Sequence, residues 1–394
     1  MRGLKKAILG MLLFLAFAVM LIYLFNFDYI FKGIRTTYLQ GYTTAHIDDH
    51  VNFANRKIEA GNHQAWPNHS EFNQYELTPA LQEKNEKAGT IAFLIIKNDS
   101  IWYESYDEDY GPDSHTNSFS MAKSITAALL GKAIFDGYVK SLDQPVADFF
   151  PQFDKRLTLR HLVSMSSGLD WNENYYNPFG MTARAYLGEN IRDLVLDLKV
   201  VETPGEEFEY LSGNTQLLGM VLEKATRMKL SDYLSQSFWK PLGMENDALW
   251  QLDSEESGME KVYCCIASNA RDFARFGKLY NNYGKWTGKQ VLDSAYIAES
   301  IRPQFEDYPH YGLGIWLQEF MGQEVFYFRG ILGQYVIVLP QKDVIIVRLG
   351  KEGGKVPDDK EHPNDFYFYL EEVLKMLPQD DKKDCLKESA VSRY

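Results

Sequence analysis

The chain has 394 residues, 45% of them hydrophobic and 24% charged, with 25 tyrosines, 24 phenylalanines and 7 tryptophans. That length implies one large domain or two closely joined ones. A net charge of −13 without clustered Lys and Arg excludes a nucleic-acid partner, because a phosphate-binding face needs concentrated positive charge. The three cysteines, Cys264, Cys265 and Cys385, have no CxxC spacing, which excludes a disulfide scaffold and a zinc knuckle. Adjacent cysteines rarely form a relaxed disulfide, so Cys264 and Cys265 are expected as small residues of a packed strand or turn.

At the amino terminus Arg2, Lys5 and Lys6 precede an uncharged run from Ala7 to Phe25. Its 19 residues approach the roughly 20 that a helix needs to cross a bilayer. The positive flank, residues 1–6, is expected to stay cytoplasmic, with 7–25 as an uncleaved anchor and the rest outside, on the periplasmic or extracellular side. A cleaved signal peptide is the alternative, but its apolar core is shorter and ends in small residues, which Tyr23-Leu24-Phe25-Asn26-Phe27 does not offer.

Residues 26–88 read as a polar lead-in, interrupted at Trp66-Pro67-Asn68-His69. His46 and His50, four apart, could share a helix face. A lone pair of this kind reads as solvated rather than metal-binding, and no metal site is expected.

Regular structure begins at Thr90–Ile96, a β-branched apolar run, followed by a turn at Asn98-Asp99-Ser100 and a second strand at Ile101–Tyr103. Helical patterns occupy the middle, including Gln216–Ala225 and Ala270–Leu279. Strands return at Gly312–Leu317, Glu324–Phe328, Gln334–Leu339 and Asp343–Val347, and Phe366–Leu377 reads as a closing helix before Pro378. The order predicts an α/β (α+β) fold in which an antiparallel sheet is built from both chain ends, flanked by helices, with an inserted mainly helical domain. The folded domain is expected over 89–378, its helical part over about 121–300, and a charged tail over 379–394.

The chemistry concentrates at Ser118-Phe119-Ser120-Met121-Ala122-Lys123, where a polar stretch meets an apolar helical pattern. Residues three apart on a helix are neighbours, so Lys123 should lie beside the Ser120 hydroxyl. Serine needs a base to become a nucleophile, and a lysine whose pKa is lowered by burial and by a helix N-terminus can be that base. Ser-x-x-Lys is common by chance. Tyr210-x-Ser212, at the mouth of the helix that starts near Gln216, adds a phenol able to relay protons. The chain has no Gly-x-Ser-x-Gly elbow, no His-Glu-x-x-His and no phosphate-binding glycine loop. His161 sits in an apolar helical run and reads as structural, while His115 is a loop residue without an assigned partner.

These motifs resemble the penicillin-recognising serine hydrolases, and within them class C β-lactamases, D-alanyl carboxypeptidases, lipolytic esterases and nylon-oligomer hydrolases. The likeness covers roughly residues 89–350. It includes Leu142-Asp143-Gln144-Pro145-Val146, Leu157–Leu169 and Lys240-Pro241-Leu242-Gly243-Met244. The resemblance implies a β-lactamase-like fold, and an acyl-enzyme on Ser120 with Lys123 and Tyr210 as acid and base. It further implies an oxyanion hole from the backbone N–H groups of Ser120 and Ile331, with Ser212 in place of the family's asparagine. No cofactor is implied. The partners expected are a small-molecule or peptide substrate and, through the N-terminal helix, a membrane. Glu173–Pro178 is similar to the flexible loop of the nylon-oligomer hydrolases, which implies that Tyr175 contacts substrate.

The family's Lys-Thr-Gly or His-Thr-Gly strand is matched by Phe328-Arg329-Gly330, with a departure at the first residue. Strand alternation predicts that Phe328 and Gly330 face the cleft and Arg329 faces away. A phenyl ring there cannot hold a substrate carboxylate, so slow β-lactam turnover and a preference for short acyl esters or amides are expected. A D-amino-acid peptidase acting on cell-wall peptides is the alternative enzyme. A catalytically retired, membrane-tethered binding protein is the non-enzyme alternative.

Overall fold

The computed structural model describes residues 2–378, so the tail at 379–394, with Cys385, lies outside the described residues. In chain order, helices α1 (Arg2–Leu24) and α2 (Tyr29–Thr36) lead to strand β1 (Asn55–Ile58) and helix α3 (Pro79–Lys87). A strand pair follows, β2 (Thr90–Lys97) and β3 (Ser100–Tyr106), then the short β4 (Thr116–Asn117). The middle carries α4 (Met121–Phe135), α5 (Leu159–Val163), α6 (Met181–Leu187), α7 (Ile191–Leu196), α8 (Ser212–Thr226) and α9 (Leu230–Leu234). Strands β5 (Ala248–Gln251) and β6 (Ile266–Ser268) precede α10 (Ala270–Asn281), the small hairpin β7 (Lys285–Trp286) and β8 (Lys289–Gln290), and α11 (Ser294–Ser300). The chain closes with β9 (Trp316–Phe320), β10 (Gln323–Gly330), β11 (Gln334–Leu339), β12 (Val344–Gly350) and α12 (Asn364–Met376).

The two sets of apolar strand runs meet in one six-stranded sheet, ordered β3-β2-β12-β11-β10-β9, with every neighbouring pair antiparallel. The ends of the chain join where β2 pairs β12, with Leu94 opposite Val347 and Ile96 opposite Ile345. Helices cover both faces, which is why the central strands are apolar on both sides. One face carries Leu94, Ile96, Phe326, Phe328, Val336 and Val338 into the main core. There α10 lies close because Gly277 has no side chain: a Cβ would come within 2.9 Å of Val336. The opposite face packs Phe93, Ile95, Tyr327, Tyr335 and Ile337 against Phe366, Tyr369 and Leu370 of α12.

Three features differ from the sequence expectation. The strand expected over 312–317 starts at Trp316 instead. A Cβ on Gly312 would sit 1.9 Å from the Ser300 carbonyl, and Gly314 (φ +75°) presses on Ala127, so this stretch is a tightly packed turn rather than a strand. Second, a smaller sheet, β1-β5-β6-β4, joins two short strands of the middle of the chain to two that precede it. Its strands are too short for a period-2 signal. Its edge strand β1 comes from the 26–88 segment, whose Ile47, Ile58 and Trp66 also enter the main core. Third, the sulfurs of Cys264 and Cys265 are bonded to each other, in a turn where Cys265 takes a left-handed φ of +75°. That backbone reversal brings the two side chains to the same side.

Helix α1 has 23 residues and no buried side chain, and by length and composition it is able to cross a membrane. Four residues later α2 packs onto the body of the protein at α6.

Candidate active site

Ser120 stands at the amino end of α4, at a sharp change of direction. The residue before it, Phe119, is buried and holds φ at +45°, a left-handed conformation that costs a side-chain-bearing residue about 1–3 kcal/mol. Hydrogen bonds from the neighbouring strand over-determine this turn. The Phe119 N–H donates to Asn117 Oδ1 at 2.8 Å, the Ser118 N–H donates to the Ile266 carbonyl at 2.8 Å, and the Ile266 N–H donates back to Ser118 Oγ at 3.1 Å. The strained turn lifts Ser120 out of the core, where it is partly exposed beside buried neighbours.

One turn into α4, Lys123 is 3% exposed, and its Nζ lies 3.0 Å from Ser120 Oγ and 3.0 Å from the Tyr263 carbonyl oxygen. Among the described residues no carboxylate is placed on this lysine; its polar partners are a hydroxyl and a carbonyl, and two aromatic rings flank it. The Tyr210 ring centre is 5.0 Å and the Tyr263 ring centre 5.6 Å from Nζ. Tyr210 is in turn fixed by Trp316, at 5.4 Å between ring centres, and by Tyr311, at 6.0 Å edge to face.

Ser212 begins α8, and its hydroxyl does not point freely into the cleft. It donates to Glu173 at 2.6 Å, and its N–H donates to the same carboxylate at 2.7 Å. Glu173 also accepts from Tyr175 Oη at 2.6 Å and from Trp171 Nε1 at 2.7 Å. A carboxylate at a helix amino terminus is stabilised by the unpaired N–H groups and the helix dipole. Glu173 thereby ties the loop to α8. Burial of the Tyr175 phenol end, with Glu173 and then Tyr210 nearby, raises its pKa well above that of free tyrosine. Tyr175 is 51% exposed as a residue; its hydroxyl is held on Glu173, and the residue lines the cleft. In the sequence Glu173 stands only as the first residue of the loop, and no local pattern links it to Ser212, 39 positions away.

On the sheet side, β10 ends at Gly330, where a Cβ would stand 2.3 Å from the Ser118 carbonyl oxygen. Only a glycine lets the strand end approach the Ser120 turn so closely. Ile331 follows, 38% exposed, in a tight turn completed by Leu332 (φ 62°) and Gly333 (φ 75°). Among the described residues neither the Ser120 nor the Ile331 N–H is used by a protein acceptor.

Phe328 departs from its expected position. Alternation along β10 does put it on the same face as Gly330. At its depth, however, that face is filled by α10: Phe328 is 1% exposed and meets the Tyr280 ring edge to face at 5.5 Å. It is a core residue rather than part of the cleft. Arg329, expected to point away, lies over the Trp316 ring at 4.8 Å and close enough to the Tyr210 phenol to interact with it electrostatically. The cleft opens only at the strand's end, and both faces of β10 are covered before it.

Ser120, Tyr175, Ser212 and Ile331 line one cavity of about 240 Å³, together with Phe119, Tyr263 and Cys264. Its other wall was not foreseen: it consists of Ile30, Gly33, Ile34, Thr37 and Tyr38, with Ala183, Tyr186 and Leu187 of α6 facing them. The i, i+3, i+4, i+7 spacing from Ile30 to Thr37 was the available signal. A larger cleft of about 600 Å³ lies on the other side of α2, between Lys32, Arg35 and the acidic Asp253–Glu256 turn, away from Ser120. His46 stacks on Tyr42 at 3.7 Å, and His50 lies near His115, 6.4 Å between ring centres. Among the described residues no group of three or more His, Cys, Asp and Glu side chains is placed to hold a metal ion. His161 Nδ1 accepts from the Thr158 N–H at 3.3 Å as part of a capping box on α5, away from the serine cavity.

Comparison with known proteins bears on the family and the fold. Residues 77–365 match the family model described as Beta-lactamase. A 6-aminohexanoate-dimer hydrolase of Paenarthrobacter ureafaciens is 26% identical over 237 residues, covering 57% of this chain and 59% of the relative. Protein flp of Staphylococcus aureus (strain N315) is 24% identical over 186 residues, covering 42% of this chain and 35% of the relative. The chain thus spans less than two thirds of the length of these curated relatives. Among solved structures, a Bacillus anthracis protein assigned as a 6-aminohexanoate-dimer hydrolase superposes with a TM-score of 0.70 at 21% identity, covering 83% of this chain and 92% of that one. The octameric penicillin-binding protein homologue of Pyrococcus abyssi superposes with a TM-score of 0.60 at 20% identity, covering 77% of each chain. With a family model spanning most of its length and the same fold in these structures, the chain belongs to the Beta-lactamase family.

Proposed function

We propose that the protein is a serine hydrolase that cleaves an amide or ester bond through an acyl-enzyme on Ser120. The observation that carries this reading is the 3.0 Å approach of the buried Lys123 Nζ to Ser120 Oγ, with no carboxylate placed on the lysine among the described residues. In the neutral amine the Nζ lone pair takes the hydroxyl proton as Oγ attacks the carbonyl carbon. Negative charge then develops on the carbonyl oxygen. The free N–H groups of Ser120 and Ile331, beside the cavity, supply donors to it. Collapse of this intermediate breaks the C–O or C–N bond, and the proton returns to the leaving group from Lys123 or through Tyr210. Water repeats the sequence, releasing the acid and restoring Ser120. None of these steps calls on a metal ion or organic cofactor. The likeness to amide-cleaving relatives supports the same reaction class. Helix α1, apolar and without a buried side chain, supports an anchor that holds the catalytic body outside the cytoplasm.

A fluorophosphonate probe tests the reading. The adduct is expected on the Ser120 peptide and absent in Ser120→Ala, and Lys123→Ala is expected to lose about 10²–10⁴-fold in rate. Undiminished hydrolysis by Ser120→Ala would overturn it.

A further inference from the structure

The unusual wall of the serine cavity is contributed by the segment that leaves the apolar helix. Only residues 25–28 separate α1 from α2, and α2 is held firmly against the body. Tyr29 Oη donates to the Pro178 carbonyl at 3.1 Å, and the Phe27 ring meets Phe179 edge to face at 5.1 Å. Gly33 lies so near α6 that a Cβ would come within 2.7 Å of Leu187 Cδ1. The face of α2 that carries Ile30, Gly33 and Ile34 thus forms a groove with α6, and the groove runs to Ser120. Around it apolar side chains stand exposed: Ile34 is 40%, Tyr38 63%, Leu39 76%, Tyr176 96% and Phe179 56% exposed. Contiguous exposed apolar surface on one side of a protein marks a lipid or partner contact. Here it adjoins a helix that has the length and composition to sit in a bilayer. Aromatic residues next to such a helix suit the headgroup level.

We infer that the substrate is a membrane-resident amphiphile with a long acyl chain, an ester or amide that enters from the bilayer holding α1. Its hydrocarbon chain lies in the groove between α2 and α6, with its carbonyl at Ser120. The inference rests on the serine-hydrolase reading above and adds the substrate class. The step balances as an ordinary acyl transfer. Ser120 Oγ bonds to the acyl carbon, the alcohol or amine leaves with the serine proton, and water then releases the free fatty acid. Phe328, buried under Tyr280, does not line the cleft and so sets no preference for short acyl groups.

The test uses the full chain in phosphatidylcholine vesicles, with p-nitrophenyl butyrate and p-nitrophenyl palmitate as substrates. The palmitate ester is expected to be favoured in kcat/KM by about tenfold or more, since each buried methylene adds to binding. Ile34→Glu, which puts a charge in the groove, is expected to reverse that ratio, while fluorophosphonate labelling of Ser120 reports that the variant is folded. As a second measurement, 11-dansyl-undecanoic acid is expected to bind Ser120→Ala protein and to bind Ser120→Ala/Ile34→Glu at least about tenfold more weakly. Labelling and butyrate turnover with no preference for palmitate would overturn the acyl-chain inference and leave the hydrolase reading standing. Loss of labelling and of turnover of both esters would overturn the two together. A palmitate preference that is equal in vesicles and in detergent micelles would overturn entry from the bilayer.

Discussion

The two faces of β10 differ although they belong to one strand. On one face Phe326, Phe328 and Gly330 run from the core beneath α10 to the turn that carries Ser120. On the other, Tyr327 and Arg329 run through a polar-aromatic layer containing His362, Trp316 and Tyr210. The first face is held by shape: apolar side chains, then a glycine that permits contact. The second is held by buried hydrogen bonds and by a cation on an aromatic face. The difference teaches that alternation assigns residues to faces, while depth along the strand decides whether a face is core or cleft. A residue two positions from the site can be wholly structural.

The largest effect expected from breaking this contrast is at Phe328. Truncation of a buried phenylalanine removes its contacts and leaves a cavity, at about 3–5 kcal/mol. Phe328→Ala is expected to lose that much in urea or guanidinium unfolding, while whatever protein remains folded keeps its KM. A changed KM with unchanged stability would restore Phe328 to the cleft. At Gly330 the effect should fall on activity. A methyl group there meets a backbone carbonyl, which cannot swing aside as a flexible side chain would. Gly330→Ala is expected to push Ile331 away from the Ser120 turn and lower kcat by about 10²–10³-fold, the usual loss on removing one oxyanion donor. Wild-type turnover in that variant would show that the contact has no bearing on the proposed oxyanion hole.

How much of this could be read from the chain depends on how local each signal is. Ser120 and Lys123 share one helical turn, so three-residue spacing placed them together. The six-stranded sheet was legible because Thr90–Ile96 and Gln334–Leu339 are long β-branched runs. The small sheet was not, since β1 pairs with β5 across almost two hundred residues and neither strand exceeds four. Glu173 escaped for a similar reason: its partner Ser212 lies 39 positions away. The α2 wall carried a helical period, but its role depends on docking against α6, which no local pattern records. Phe328 was misplaced because alternation says nothing of the Tyr280 ring that closes over it.

The smallest effect expected concerns the polar face and appears as a pH dependence of stability. His362 is fully buried, with Nδ1 2.7 Å from the Tyr327 hydroxyl and Nε2 3.3 Å from His310 Nδ1. Burial first, then His310 and Arg329, pushes its pKa down to about 3. In the unfolded chain a histidine titrates near 6.5. Because the folded pKa is the lower one, the unfolded state binds the proton first as acid is added. The stability contribution is therefore fully present above about pH 6.5 and is lost as pH falls toward 3, at up to about 1.4 kcal/mol per pH unit. Between the plateau above pH 7.5 and pH 5 the loss attributable to His362 should be about 2 kcal/mol. Other groups titrate in the same range, so the informative quantity is the difference between wild type and His362→Gln. The variant keeps a polar side chain beside Tyr327 but cannot take up the proton. Its unfolding free energy should fall less steeply with acid than that of the wild type. Parallel curves from pH 7 to pH 5 would mean that the layer behind Arg329 admits a charged imidazole, and that the two faces of β10 are less different than their packing implies.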